Sequence, residues 1–385
     1  MDKKLIPFNR ISFDNGEMAR IREAVENGHI SGDGHFTKKA EKILSDMHDG
    51  ARVLLVPSCS HALELAARLI GFEPGDEVIV PSFTFVTSVS SFVVHGATPV
   101  FCDIDPLTLG LDLEEARKLI TPNTKAIVLV HYGGVPANPA GFARLAEDHD
   151  LILIEDNAHG LGGKSEAKKL GTFGAMSTLS FHETKNISCG EGGALVINDP
   201  QYIERAEILR EKGTDRSRFF RGQVDKYTWQ DLGSSWTLSD ILAAILYAQL
   251  CSFDQIQKLR MNLWTHYLRE LSGWAVGNSF QLAEIKTETA HLFYTLLGSS
   301  QNQVGFIQHL KQSGISAVFH YHPLHLSPFG KQFPARQNMS VTQTVADSLV
   351  RLPLYSAMSI ADSNRVVKAV KSYSPPTDTA SNSHE

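Results

Sequence analysis

Alternation between apolar, β-type runs and helical segments over residues 51–156 constrains the fold of this chain most strongly. The β-type runs are residues 52–56, 77–80, 99–102, 125–130 and 151–156. Segments with helical spacing of their apolar residues separate these runs. A chain with this alternation is expected to form a largely parallel sheet covered by helices, which is an α/β fold.

Asp156 and Lys185 are the residues of this region that most suggest chemistry. Asp156 ends a run that reads as a strand buried on both faces, and ligands of open α/β sheets bind at the carboxyl ends of strands. Lys185 follows another apolar run, 176–181. A lysine amine can form a Schiff base with the aldehyde of pyridoxal phosphate, while a carboxylate keeps the ring nitrogen of that cofactor protonated. Taken alone, a lysine such as Lys185 is more often solvated. An aspartate such as Asp156, taken alone, is more often a helix cap or an ion-pair partner.

A hydroxyl-rich turn lies between the run 52–56 and the helix that follows it. Ser58, Cys59 and Ser60 come immediately before the apolar helical positions. The free N–H groups and the positive dipole end of a helix N-terminus suit a phosphate, although an ordinary serine cap is the commoner case. Phe85 lies at the next strand-to-helix corner, where its ring could stack on a flat cofactor or simply belong to the core.

Residues 214–236 form a long segment in which arginines alternate with aromatic side chains. Arg216 and Arg221 suit phosphate groups, and Tyr227 and Trp229 could stack on a base or a sugar. The same residue types also make subunit interfaces, so both interpretations stay open at this point.

The segment His320-Tyr321-His322-Pro323-Leu324-His325 raises the question of a metal site. Two histidines one residue apart with a third nearby could bind zinc, but no carboxylate or cysteine partner is evident. We therefore expect His320 and Tyr321 to form a pocket wall, and we predict no metal.

Composition limits the classes of partner. The 385 residues carry a net charge of −6, which gives no general attraction to nucleic acid or to anionic membranes. The four cysteines are scattered without paired spacing, and neither a signal peptide nor a membrane-spanning run is evident. These features predict a cytoplasmic protein that acts on small molecules.

The pattern of elements changes along the chain and predicts two domains and a tail. We expect a large cofactor-binding domain over residues 1–250 and a smaller α+β domain over residues 251–374. Within the smaller domain the patterns predict strands at 287–297 and 317–320 and helices at 304–312, 341–349 and 359–373. Residues 375–385 are polar and contain proline, which predicts a disordered tail.

Over residues 5–373 the chain resembles the DegT/DnrJ/EryC1/StrS family of sugar-nucleotide aminotransferases. The resemblance is carried by seven short motifs: Ser31-Gly32-Asp33-Gly34, Pro57-Ser58-Cys59-Ser60, Pro81-Ser82-Phe83-Thr84-Phe85, Glu155-Asp156, Ser180-Phe181-His182-Glu183-Thr184-Lys185, Gly190-Glu191-Gly192-Gly193 and the His320 to His325 segment. It implies fold type I of the pyridoxal phosphate-dependent transferases, pyridoxal 5'-phosphate as cofactor, and a homodimer with active sites at the subunit interface.

The resemblance also assigns roles to residues. Lys185 would form the Schiff base, and Asp156 would pair with the ring nitrogen. His159 would approach the ring hydroxyl, where many relatives have Gln, and Phe85 would stack on the ring. Ser58, Cys59, Ser60 and Ser180 would hold the phosphate. The implied substrate-binding residues are Gly34, His182, Arg216, Arg221, Tyr227, Trp229, His320 and Tyr321.

Two positions depart from the usual pattern of the family. Ser235 and Thr237 stand where many relatives have an Asn, which reaches the phosphate from the partner subunit, and an Arg. This departure puts the contact between subunits in doubt. Some relatives that dehydrate their substrate have His in place of the lysine, so Lys185 argues against that branch.

Within the family, the run 211–235 is most similar to the branch that acts on dTDP-4-oxo-6-deoxy sugars. This similarity implies transfer of an amino group from L-glutamate to C4 of the sugar. The product would be dTDP-4-amino-4,6-dideoxy-D-galactose, a precursor of cell-surface polysaccharide such as enterobacterial common antigen. The alternatives are amination at C3, a UDP sugar as substrate, or a non-catalytic regulatory protein on the same fold.

Overall fold

The computed structural model describes residues 5–13, 16–284 and 288–376. In chain order, the strands are β1 (Arg52–Val56), β2 (Glu77–Pro81), β3 (Thr98–Cys102), β4 (Thr124–Val130), β5 (Ile152–Asp156), β6 (Lys164–Ser165), β7 (Lys168–Lys169), β8 (Met176–Ser180), β9 (Gly193–Ile197), β10 (Gln281–Leu282), β11 (Phe293–Leu296), β12 (Val318–Phe319) and β13 (Leu349–Leu352). The α-helices are α1 (Glu17–Glu26), α2 (His35–Asp46), α3 (Cys59–Ile70), α4 (Thr87–Val93), α5 (Leu113–Leu119), α6 (Pro139–Asp148), α7 (Ile203–Arg210), α8 (Arg216–Phe220), α9 (Asp240–Cys251), α10 (Phe253–Gly277), α11 (Ser300–Gln312), α12 (Ser340–Ala346) and α13 (Ile360–Lys371).

The larger sheet has seven strands in the order β1-β9-β8-β5-β4-β2-β3. The strands β2, β3, β4, β5 and β8 pair in parallel, while β9 is antiparallel to its neighbours β1 and β8. Six strands therefore point the same way, and their carboxyl ends meet at one edge. The predicted largely parallel α/β sheet is confirmed.

Both faces of this sheet are buried, which explains the nearly continuous apolar runs of its strands. On one face, Ile127 and Leu153 pack with Phe142 and Leu145 of α6. On the other face, the alternate residues of the same strands pack against α3 and α4, as Val128 does with Leu63. Helices on both faces leave the carboxyl edge of the sheet as the place where polar side chains can meet a ligand.

The smaller sheet is antiparallel, with the order β10-β11-β13-β12. Its core includes Tyr267 and Leu271 of α10, and the same cluster reaches Phe83 and Tyr132 beside the larger sheet. Near the amino terminus, Ile6 forms a β-bridge with Ile315. The N-terminal strand-like segment therefore packs against the C-terminal part of the chain.

Two predicted elements of the smaller unit differ from the structure. The helix predicted at 341–349 ends at Ala346, and Leu349 begins the strand β13, which was not predicted. The strand predicted from Thr287 begins at Phe293, and Thr287 itself lies outside the described residues. The predicted tail 375–385 lies outside them from residue 377 onward. The domain boundary at residue 250 stays a prediction. Among the described helices, none combines the length and the apolarity needed to cross a membrane.

Candidate active site

A cavity of about 680 Å³ opens at the carboxyl edge of the larger sheet, facing the smaller one. All eight of the predicted cofactor-binding residues line it: Ser58, Cys59, Ser60, Phe85, Asp156, His159, Ser180 and Lys185. The predicted substrate-binding residues His182, His320 and Tyr321 line it as well. The fold thus brings together segments that lie up to 263 residues apart, from Ser58 to Tyr321.

Lys185 lies in the connection between β8 and β9, and its side chain is partly buried in the cavity wall. Its backbone N–H donates to the His182 carbonyl over 2.9 Å. Burial lowers the pKa of the Lys185 amine to about 8, with Arg351 adding to the decrease, while the negative charge of Asp156 opposes it. A larger fraction of the amine is therefore unprotonated at neutral pH than for a solvated lysine.

Asp156 ends β5 and is 5 % exposed. Ser88 Oγ donates to Asp156 Oδ2 over 2.7 Å, and the Ala158 N–H donates to Asp156 Oδ1 over 3.2 Å. Thr84 Oγ1 in turn donates to Ser88 Oγ over 2.9 Å. This chain of hydrogen bonds orients the carboxylate toward the cavity and compensates part of the cost of burying it.

The turn before α3 is shaped to receive an anion. Ser58 caps the helix by accepting the His61 N–H over 3.2 Å, and the first N–H groups of a helix have no acceptor within the helix. A Cβ at Gly193, which pairs with Ser180 in the sheet, would collide with the backbone of Ser58 and Cys59. Glycine at this position therefore lets the two segments approach closely, and Ser58, Ser60 and Ser180 line the same cavity.

His159 is held in one orientation by two neighbours. Its Nδ1 accepts the Gly133 N–H over 3.2 Å, and its ring stacks on His291 at a centroid distance of 4.1 Å. Burial and the charge of Lys185 lower the pKa of His159 well below its usual value. The neutral ring with Nδ1 as acceptor carries its proton on Nε2, where it can donate a hydrogen bond.

A buried network anchors the strand end that carries Asp156. Glu155 Oε1 accepts from His131 Nε2 over 3.0 Å and from the Gly171 N–H over 2.8 Å, and Oε2 accepts the N–H groups of Phe173 and Gly174. Burial raises the pKa of Glu155, but these hydrogen bonds outweigh burial, and the pKa lies below its usual value. The network fixes the backbone immediately before Asp156.

His291 and Arg351 are among the residues of the cavity that were not predicted from the sequence. His291 precedes β11 and donates through Nδ1 to Asn186 Oδ1 over 2.8 Å, next to Lys185. Arg351 lies on β13 and also lines the cavity. Neither residue belongs to a local motif, so only their position in the folded chain identifies them.

The other predicted substrate-binding residues lie elsewhere. Gly34, Arg216 and Arg221 line a second cavity of about 1150 Å³. Tyr227 and Trp229 line neither of these two cavities, and Trp229 is 75 % exposed. Within one chain, these five residues are not brought to Lys185. No group of three or more metal-binding side chains is found among the described residues.

Comparison with known proteins shows the family to which the chain is similar. The model of the DegT/DnrJ/EryC1/StrS aminotransferase family matches residues 12–371. GDP-perosamine synthase from Caulobacter vibrioides is 32% identical over 364 residues, which are 93% of this chain and 95% of the relative.

Solved structures agree with that placement. DesV from S. venezuelae is 29% identical, with a TM-score of 0.87 over 98% of this chain and 100% of its own. The PLP form of the putative sugar aminotransferase Spr1654 from Streptococcus pneumoniae is 24% identical and shares the fold, with a TM-score of 0.85 over 95% of this chain and 98% of its own. The fold is therefore that of the fold type I transferases, and pyridoxal phosphate is the cofactor. The chain belongs to the DegT/DnrJ/EryC1/StrS aminotransferase family and is a pyridoxal phosphate-dependent sugar aminotransferase.

Proposed function

We propose that this enzyme transfers an amino group from L-glutamate to C4 of a dTDP-4-oxo-6-deoxy-hexose and releases dTDP-4-amino-4,6-dideoxy-D-galactose. The observation that carries the proposal is that Lys185, Asp156 and the turn Ser58-Cys59-Ser60 face one cavity. The amine, the carboxylate and the anion-binding turn are the three groups that pyridoxal phosphate needs.

In this proposal the residues of the cavity have distinct tasks, and Lys185 both binds the cofactor covalently and acts as a base. When bound, the cofactor supplies an electron sink that stabilises negative charge on the carbon that loses its proton. Lys185 Nζ removes the proton from the α-carbon of the amino donor, because its depressed pKa leaves the amine available as a base. With the cofactor bound, Asp156 would keep the ring nitrogen protonated, and His159 would donate a hydrogen bond from Nε2 to the ring hydroxyl.

The remaining cofactor contacts position the ring. Ser58, Ser60 and Ser180 bind the phosphate together with the N–H groups at the start of α3. Phe85, which lines the cavity, would stack on the ring. His182, His320 and Tyr321, which line the same cavity, bind the sugar.

The identity of the sugar nucleotide rests on residues 211–235. This run resembles the branch of the family that acts on dTDP-4-oxo-6-deoxy sugars. Its arginines and aromatic side chains suit a nucleoside diphosphate. A related enzyme carries GDP-perosamine in its name, which supports a nucleotide sugar as the class of substrate.

We also propose that the enzyme is a homodimer. In it, the loop formed by residues 211–235 completes the active site of the partner subunit. The loop presents exposed aromatic rings, with Phe220 70 % and Trp229 75 % exposed. Exposed aromatic clusters of this kind mark interaction surfaces. A contribution to the partner's site would explain why Arg216, Arg221, Tyr227 and Trp229 lie away from the cavity of their own chain.

The product of the reaction tests the proposal directly. The purified protein is incubated with pyridoxal phosphate, L-glutamate and dTDP-4-oxo-6-deoxyglucose, and the product is identified by NMR. We expect an axial amino group at C4, as in the galactose configuration. Amination at C3, or turnover with only the UDP sugar, would contradict the proposed substrate. Absence of turnover with all oxo sugars would favour a regulatory protein.

A further inference from the structure

His291 is a histidine of the cavity to which the proposed reaction assigns no task. It precedes β11 of the smaller sheet, and its side chain lines the cavity that contains Lys185. The residue is 7 % exposed. Because buried polar groups are hydrogen-bonded, the contacts of this ring show what it can do. They lead to two residues that face the cofactor.

The first contact ties the segment that carries Lys185 to the smaller sheet. His291 Nδ1 lies 2.8 Å from Asn186 Oδ1, and since an amide oxygen can only accept, Nδ1 is the donor. Lys185 and Asn186 lie in the connection of turns and bends between β8 and β9, outside any helix or strand. A side-chain hydrogen bond at the residue next to Lys185 therefore restricts where the amine can point.

The second contact is a stack of two neutral rings. Burial and the charges of Lys185 and Arg260 lower the pKa of His291 well below its usual value. The rings of His291 and His159 lie 4.1 Å apart at their centroids, with 28° between their planes. Neutral rings stack without repulsion between charges. The stack fixes the plane of the His159 ring, while the Gly133 N–H fixes its Nδ1.

A buried arginine holds the backbone of His291 in place. Arg260 of α10 donates through Nε to the Ala290 carbonyl over 2.8 Å and through Nη2 to the His291 carbonyl. Burial lowers the pKa of Arg260 to about 10, so the guanidinium is still charged at neutral pH. Charge-assisted hydrogen bonds of this kind are stronger than those between neutral groups. His291 is therefore fixed at its backbone as well as at its ring.

We propose that His291 is a positioning residue, which directs the Lys185 amine through Asn186 and the His159 ring through the stack. This inference rests on the proposed function in taking Lys185 as the base. His291 joins two groups that face the reacting atoms to a backbone that Arg260 holds. Its contribution is to geometry and not to binding, since a shift of about 1 Å in a reacting group costs about 100-fold in rate.

Variants that separate the two contacts test the proposal by steady-state kinetics with L-glutamate and the oxo sugar. His291→Phe keeps a flat ring for the stack and removes the donor, and Asn186→Ala removes the acceptor. We expect each variant to lower kcat about 10-fold or more, with each KM changed less than about threefold. The double variant should be no slower than the slower single variant, because both changes remove the same hydrogen bond. His291→Ala also removes the stack and should be slower than His291→Phe by about threefold or more.

The pattern of these losses decides between the possible roles of His291. A double variant about 100-fold slower than the wild type, with the two losses multiplied, would show that His291 does not act through Asn186. A raised KM at unchanged kcat would show that His291 binds a substrate. Equal rates of His291→Ala and His291→Phe would show that the stack has no effect on His159. Each of these results contradicts the proposal.

Hydrogen exchange of the cofactor-free protein is a second measurement, which needs no turnover. In His291→Phe, the peptide that contains residues 182–190 should exchange about fivefold faster, because one hydrogen bond of ordinary strength is lost. Peptides from α7 should exchange as in the wild type. Unchanged exchange of residues 182–190 would refute the tie to Asn186. Faster exchange along the whole chain would show a general loss of stability and would likewise overturn the positioning role.

The matched control is His309→Phe. His309 Nε2 lies 2.9 Å from the Ala369 carbonyl oxygen, outside both cavities. This variant also loses a hydrogen bond of a histidine ring, and it should leave both kcat and the exchange of residues 182–190 unchanged. Failure of the proposed function is seen elsewhere, as activity of Lys185→Ala or as absence of turnover in the wild type. The exchange measurement then still decides whether His291 holds residues 182–190.

Discussion

At the scale of single residues, the environment of the Lys185 amine controls its reactivity. Burial favours the neutral amine, and the charge of Arg351 adds to this effect, whereas Asp156 stabilises the ammonium. The result is a pKa of about 8 in place of 10.5. Burial, opposed by the charge of Asp156, thus leaves an appreciable fraction of the amine unprotonated near physiological pH.

This balance predicts how cofactor capture depends on pH. Because covalent attachment of pyridoxal phosphate needs the unprotonated amine, its rate in the cofactor-free protein should rise with pH and level off above about pH 8. Asp156→Asn removes a group that raises the pKa, so the midpoint should move to lower pH. Stopped-flow absorbance measures both profiles. A midpoint near the value of a solvated lysine, or an upward shift in Asp156→Asn, would contradict this account.

The sequence predicts site residues well where they follow a recognisable strand. Asp156 ends an apolar run, and Lys185 follows another, so their chemistry could be inferred before the structure was known. His291 and Arg351 could not be identified in this way. A histidine before a short strand and an arginine within a strand carry no local signal, because their function depends on contacts with segments more than 100 residues away.

At the scale of elements, the end of β5 is fixed by the Glu155 network. Glu155 is fully buried, and four donors depend on its carboxylate. A buried group with several charge-assisted hydrogen bonds costs several kcal/mol when one partner is removed. The strand end that presents Asp156 therefore owes its rigidity to a residue that does not face the cavity.

The Glu155→Gln variant tests this structural role. The free energy of unfolding at pH 7 should fall by about 3 kcal/mol, because the amide cannot accept from all four donors. The folded-state pKa of Glu155 lies below its usual value, so its contribution is present above pH 4.5 and is lost as the pH falls through the folded-state pKa. The difference between wild type and variant in urea unfolding should therefore shrink at acid pH. The exposed Glu114→Gln serves as control, and equal stability of Glu155→Gln and wild type at pH 7 would refute the role.

The strand β13 was not predicted, because the spacing of apolar residues before it is also that of a helix. Val341, Val345 and Leu349 recur at helical spacing, which extends the predicted helix past its true end at Ala346. Arg351 interrupts the apolar pattern of Leu349–Leu352, so the strand itself gives no clear signal. The pairing of β13 with β11 and β12 stabilises the strand, and sequence patterns cannot report such distant pairing.

At the scale of the whole molecule, the two cavities divide the predicted ligand-binding residues. Eleven of them line the cavity that contains Lys185, while Tyr227 and Trp229 line neither cavity. The assignment of these residues to ligand binding stays a prediction, and the sequence gives no sign of which copy of the chain they would serve. If the loop of residues 211–235 completes its partner's site, a second copy of the chain brings Tyr227 and Trp229 to a cavity that contains Lys185.

Mixing inactive variants tests this arrangement. Lys185→Ala should lack turnover, and Trp229→Ala should lose most of its activity with the sugar nucleotide. When the two are unfolded and refolded together, hybrid dimers should contain one intact site, and about a quarter of the wild-type activity should return. Size-exclusion chromatography with light scattering checks that dimers form. Activity no higher than the mean of the two separate variants would show that each chain completes its own site.

The central claim is that Lys185 is the residue that binds the cofactor covalently. Borohydride reduction of the cofactor-loaded enzyme, followed by proteolysis and mass spectrometry, tests it most directly. The account predicts one phosphopyridoxyl group per chain, on the peptide that contains Lys185, and none in Lys185→Ala. A label on a different lysine, or an equal amount of label in Lys185→Ala, would contradict the account.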